Sequence, residues 1–102
     1  MAEGINQEWQ TYIAGSCFKS KYTITSYKNA HRRLTDYLGV AIKDCSQKDI
    51  IEAIEEIANN PNTKASLLNC GIIFYNLSDL DNKTLLKHKL TITEEINKHR
   101  AE

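Results

Sequence analysis

Three cysteines, three histidines and two pairs of adjacent glutamates are the residues of this chain with the chemistry for metal binding or catalysis. Cys17, Cys45 and Cys70 are odd in number and widely separated, whereas zinc ligands come in pairs about two to four residues apart. His31, His88 and His99 fall on different segments with no paired spacing. The expectation is three reduced thiols, no metal site and an intracellular setting. Cys70 lies in an apolar run and reads as a core residue. A nucleophilic Cys17 would need a histidine beside it, and nothing in the sequence places one there. Glu55-Glu56 and Glu94-Glu95 lie on amphipathic stretches. Neighbouring residues of a helix point about 100° apart, so neither pair converges on one substrate atom. Gly-x-Ser-x-Gly, His-Glu-x-x-His and glycine-rich phosphate loops are all missing from the sequence. No catalytic residue, cofactor or small-molecule substrate is expected.

The basic residues are better placed for chemistry. Lys19, Lys21, Lys28, Arg32 and Arg33 follow one another with no acidic residue until Asp36. Lys21, Lys28 and Arg32 line one helix face, about 100° round from the apolar Ile24/Tyr27/Leu34 stripe. Thr25 and Thr35 lie beside that face and offer hydroxyls to phosphate oxygens. A second stripe, Asn62, Ser66, Asn69 and Asn76, recurs at helical spacing and is interrupted by Ile73. Asparagine can pair with adenine in a major groove, and serine can reach phosphate or base edges. The helix start at Thr63 and Lys64 is a natural phosphate site. The competing readings are a solvated lysine face and an uncharged solvent-facing stripe. Tyr27, Tyr37, Phe74 and Tyr75 fall at core-facing positions, so stacking on single-stranded nucleic acid is not expected.

The elements that must position these residues are helices. The chain has 102 residues, enough for one domain with a modest core. It is 41% hydrophobic and 25% charged, which argues against disorder. Lysine plus arginine equals aspartate plus glutamate, 13 of each, so any nucleic-acid contact must use a local basic face. No apolar run approaches the roughly 18 residues of a membrane span, and the polar first ten residues do not read as a secretory signal. Trp9 and Ile13 share a face of a first helix over 6–13, followed by a connector from Gly15 to Lys21. Ile24, Tyr27, His31, Leu34, Tyr37 and Leu38 mark a second over 23–38, stopped by Gly39. Ser46 and Asp49 resemble a capping box opening a third over 46–58. Pro61 breaks the chain before a fourth over 62–77, apolar over a wide arc and hence central. Gly71 in its middle predicts a close helix crossing. The tail, 81–100, is helical in composition, and a second capping-box pattern at Thr91–Glu94 leaves it as one helix or two. Strand signals are weak throughout. The fold class predicted is all-α, a compact bundle of four to five helices. Its core should bury Ile24, Tyr27, Leu34, Ile50, Ile54, Leu67, Ile72 and Phe74.

Three segments in order carry a family resemblance. They are Ser20-Lys21-Tyr22-Thr23-Ile24-Thr25-Ser26-Tyr27 leading to Leu34 and Tyr37-Leu38, then Cys45-Ser46-Gln47-Lys48-Asp49-Ile50-Ile51, then Asn62-Thr63-Lys64-Ala65-Ser66-Leu67-Leu68 running to Phe74-Tyr75. Together, over 8–80, they resemble the N-terminal core-binding domain of tyrosine recombinases, the phage-integrase family. The resemblance implies a SAM-like bundle that clamps one side of duplex DNA. A separate C-terminal catalytic domain, carrying Arg/His/Arg and a nucleophilic Tyr, would clamp the other. This chain has no room for that domain, so none of its five tyrosines is expected to be the nucleophile. By the same resemblance the DNA-facing positions are Lys21, Thr23, Lys28, Arg32, Thr63, Lys64, Ser66 and Asn69. The chain departs from a DNA clamp in its zero net charge, which predicts weak binding by this domain alone. The expected partners are duplex DNA and the catalytic domain, with no membrane. The expected location is cytoplasm or nucleus, and the Lys/Asn/Ile-rich usage fits a viral or mobile-element origin. The alternative function is a SAM-like protein-interaction module without DNA affinity.

Overall fold

The computed structural model describes residues 2–17 and 19–101, with backbone alone at residues 2, 3 and 99–101. Five α-helices follow one another: α1 (Ala2–Ala14), α2 (Lys21–Leu38), α3 (Gln47–Ile57), α4 (Pro61–Leu77) and α5 (Lys83–Ala101). A single 3-10 turn, Ile42–Asp44, lies between α2 and α3, and no strand occurs among the described residues. The all-α bundle expected from the sequence is the fold observed.

Local hydrogen bonds set the boundaries. Ser20, Ser46 and Asn60 each accept from the backbone N–H three residues on, at 3.1, 3.1 and 2.9 Å. These side chains satisfy N–H groups that a helix start otherwise leaves unpaired. Pro61 follows at the first helical position, where a missing N–H costs nothing. Gly39 ends α2 in the left-handed conformation, φ 77°, and returns its N–H to Thr35 O at 2.8 Å. Because Ser20 is the cap, α2 begins at Lys21, two residues before the expected Thr23. α1 begins about a turn earlier than expected. α5 is one unbroken helix, so the capping-box pattern at Thr91–Glu94 opens no new start.

α4 is central. It packs against all four other helices and buries Leu67, Leu68, Cys70, Gly71, Ile72, Phe74 and Tyr75. A methyl group on Gly71 would stand 3.3 Å from Ile50 Cγ2, so the glycine marks the close crossing of α3 and α4. Of the expected core, Leu34, Ile50, Ile54, Leu67, Ile72 and Phe74 are buried, while Ile24 and Tyr27 are half-buried. Tyr37 is 54% exposed, contrary to its place in the predicted stripe. The buried face of α2 centres on Ala30, His31, Leu34 and Thr35, and Tyr37 lies roughly 90° round from that centre.

Glu8 ties the first half of the chain together. One of its oxygens accepts from His31 Nε2 at 2.7 Å and from the Ile42 N–H at 2.9 Å. The other accepts from the Lys43 N–H at 2.8 Å. The carboxylate therefore caps the 3-10 turn and locks α1 to α2. His31 in turn packs in an aromatic cluster with Trp9, Tyr12 and Phe74, whose neighbouring ring centroids are 4.5–6.4 Å apart.

Candidate nucleic-acid interface

The N-terminal half of α2 runs beside that of α4, and a cleft of about 220 Å³ opens between them. Tyr22, Thr23, Ser26 and Tyr27 line it from α2, and Ser66 and Asn69 from α4. Three of the residues named by the resemblance, Thr23, Ser66 and Asn69, thus share one surface. Thr23 Oγ1 accepts from the Ser20 hydroxyl at 3.0 Å, and the Ser66 hydroxyl donates to Asn62 O at 3.2 Å. Each hydroxyl oxygen keeps acceptor capacity. The Asn69 amide makes no hydrogen bond to a described residue. No lining residue is charged, so the cleft offers directional hydrogen bonds to uncharged edges instead of phosphate neutralisation.

The cations lie elsewhere. Lys28 and Arg32 line a second groove, of about 320 Å³, between α1 and α2, with Trp9, Asn6 and Asp36. They project roughly 150–170° round α2 from the cleft-lining residues. Lys21 is exposed in the first turn of α2 on that same side, yet at the cleft's end of the helix. None of the three forms an ion pair with a described residue. Arg33 is exposed and tethered to α3, its Nη2 donating to Ile57 O at the end of that helix at 3.4 Å.

Lys64 is turned away from the cleft. Its Nζ lies 2.5 Å from Glu55 Oε2, and the other oxygen of Glu55 is 3.3 Å from His88 Nε2 of α5. The hydrogen bond to Glu55 holds the ammonium above its ordinary range. Ser66 follows two positions later, about 200° round the helix, which is why the two cannot share a surface. Thr63 is half-buried, and its N–H is occupied by the Asn60 cap. The α4 start therefore presents fewer open N–H groups to an anion than its sequence promises. Asn76, the last member of the polar stripe, accepts from Asn82 Nδ2 at 2.7 Å and belongs to the α4–α5 connection.

One expected hydroxyl is not available. Thr35 is buried, and its hydroxyl lies 2.9 Å from His31 O and 3.3 Å from Arg32 O. It sits on the core side of α2, where β-branched methyl and back-bonded hydroxyl both suit an interior position. Thr25 remains exposed. Conversely, Tyr22 and Ser26 were not singled out as site residues by spacing, though they lie four apart on the cleft face. Tyr22 is 84% exposed and forms the lip.

The cysteines are unpaired and stand at different depths: Cys17 exposed, Cys45 half-buried, Cys70 buried. Burial pushes the Cys70 thiol far up, and the Cys45 thiol up with help from Asp49 and Asp44. Among the described residues no three metal-ligating side chains come together, and the His99 side chain lies outside that description. No described helix is long and apolar enough to cross a membrane. Comparison of the chain with protein-family models, with curated proteins and with solved structures finds no match.

Proposed function

We propose that this chain is a non-catalytic duplex DNA-binding module, of the kind it resembles in tyrosine recombinases, that positions DNA for recombination chemistry carried out by a separate domain. The observation that supports the reading is the shared cleft. Thr23 of α2 and Ser66 and Asn69 of α4 lie far apart in sequence yet open onto one surface. In this reading Asn69 meets a base edge, and Thr23 and Ser66 meet sugar, phosphate or base atoms. Lys21 reaches a phosphate beside the cleft. Lys28 and Arg32, on the far side of α2, add long-range attraction and not direct contact, and Lys64 is held by Glu55. Few direct phosphate contacts and zero net charge make binding weak, with dissociation constants near or above roughly 10 μM at physiological salt.

The test is a salt-dependent titration of labelled duplex with the folded chain. Binding that weakens on Asn69→Ala, and a salt slope that becomes shallower on Lys21→Ala, supports the reading. No duplex binding at low salt overturns it and leaves the protein-interaction alternative.

A further inference from the structure

α5 is apolar on two sides. Its inner side packs Leu85, Ile92 and Ile96 onto the bundle. Its outer side carries Leu86, 44% exposed, and Leu90, 67% exposed. Leu90 lies about 160° round the helix from Ile92, so no core position explains it. Leu86 and Leu90 share a shallow groove of about 540 Å³ with Lys83, Lys87, Lys89 and Thr93. Single exposed leucines are ordinary, but two adjoining ones ringed by like charges form a patch with a recognisable complement.

The charges are the informative part. Three lysines crowd the N-terminal half of α5, and its first turn holds no acidic residue. Lys83, in the first turn, opposes the macrodipole, and Lys87 four residues on is a like-charge neighbour of it, so neither stabilises the helix. No ion pair to a described residue involves any of them. A second copy of this chain docking here would gather two such sets of lysines around the leucines. An acidic partner neutralises them instead.

We propose that the outer face of α5 docks an acidic amphipathic helix of a partner protein, whose apolar side chains straddle Leu86 and Leu90 while its carboxylates meet Lys83, Lys87 and Lys89. This is the helix-on-groove mode of recognition, with apolar anchors at helical spacing and a charged rim that fixes orientation. The surface is separate from the α2/α4 cleft, so the inference does not rest on DNA binding.

The experiment titrates the full chain with a synthetic helical peptide bearing leucines on one face and glutamates on both flanks, read by fluorescence anisotropy. The control peptide has every glutamate replaced by lysine. The acidic peptide should bind, and the control should not. Leu86→Ser combined with Leu90→Ser should weaken binding at least about tenfold, and Lys83→Glu with Lys87→Glu by a similar factor. Both pairs are exposed, so the thermal melt should be unchanged, and the leucine pair should leave the duplex titration unchanged as well. Equal affinity for the two peptides, or indifference to the leucine variant, overturns the proposal. So does concentration-dependent self-association that Leu90→Ser abolishes, which would make the occupant a second copy. Binding to phosphatidylserine vesicles without binding to the peptide would overturn it in favour of a lipid surface.

Discussion

Glu8 and His31, twenty-three residues apart, meet in the interior of the bundle with His31 Nε2 2.7 Å from Glu8 Oε1. Both side chains are about 95% buried or more. The same carboxylate accepts two backbone N–H groups of the 3-10 turn, so three donors depend on one residue. A carboxylate oxygen that already accepts from the Ile42 N–H is matched by a hydrogen on His31 Nε2.

Removing that acceptor should be costly. Glu8→Ala leaves two buried donors and one part-buried donor unpaired and should destabilise the chain by about 3–5 kcal/mol, as loss of one partner of a buried polar network does. For a domain of this size the thermal midpoint should fall by more than about 10 °C. Glu8→Gln keeps one good acceptor and should cost less than half as much. Thermal melts followed by circular dichroism check both, and equal midpoints for the two variants would contradict the account.

Gly71 offers a sharper test of packing. Ala has the higher helix propensity by about 1 kcal/mol, which favours Gly71→Ala. The added methyl, however, would stand 3.3 Å from Ile50 Cγ2, close enough that this buried side chain must give way. Overpacking costs about 1–3 kcal/mol, so the net effect should be destabilising by about 1 kcal/mol. In an Ile50→Ala background the opposing atom is gone and the same change should be neutral or stabilising. Denaturant unfolding of the four chains measures the coupling, and strict additivity would rule out the contact.

The cations should not contribute equally to DNA binding. Each phosphate contact steepens the log–log salt dependence by about 0.9. Lys21→Ala should therefore make the slope shallower by about that much. Lys64→Ala should leave it unchanged, because Lys64 is paired with Glu55. Asn69→Ala should change the preference among duplex sequences at constant slope. A slope that responds to Lys64 and not to Lys21 would place the DNA on the α3/α5 side.

Thiol labelling reads out the depth of each element. Only thiolates react, so exposure and a pKa held up by burial act in the same direction. At mildly alkaline pH, Cys17 should react first with iodoacetamide, Cys45 more slowly, and Cys70 only when the core opens. The Cys70 rate should rise with denaturant in step with global unfolding. Rapid labelling of Cys70 in the folded chain would mean that α4 is not central.

What the sequence determined by itself is the set of helices, with the stop of α2 at Gly39, the start of α3 at Ser46 and the break at Pro61, whereas α1 and α2 begin earlier than apolar periodicity indicates. Ser20, Ser46, Asn60 and Gly39 bond to groups three or four residues away, so the information for each boundary lies within one turn. The apolar stripes of α3 and α4, and the close approach at Gly71, were equally legible. The tertiary structure decided which flank of each helix remains open. α2 meets α1, α3 and α4. Those neighbours bury Thr35, draw Arg33 to the end of α3, and part Lys28 and Arg32 from the cleft of Thr23, Ser66 and Asn69. Lys64 is withdrawn by Glu55, a residue of another helix, and Glu8 is buried by partners more than twenty positions away. Helical periodicity assigns an angle to every side chain. Only the packed neighbours, brought from distant parts of the chain, decide whether that angle faces solvent, core or a counter-charge.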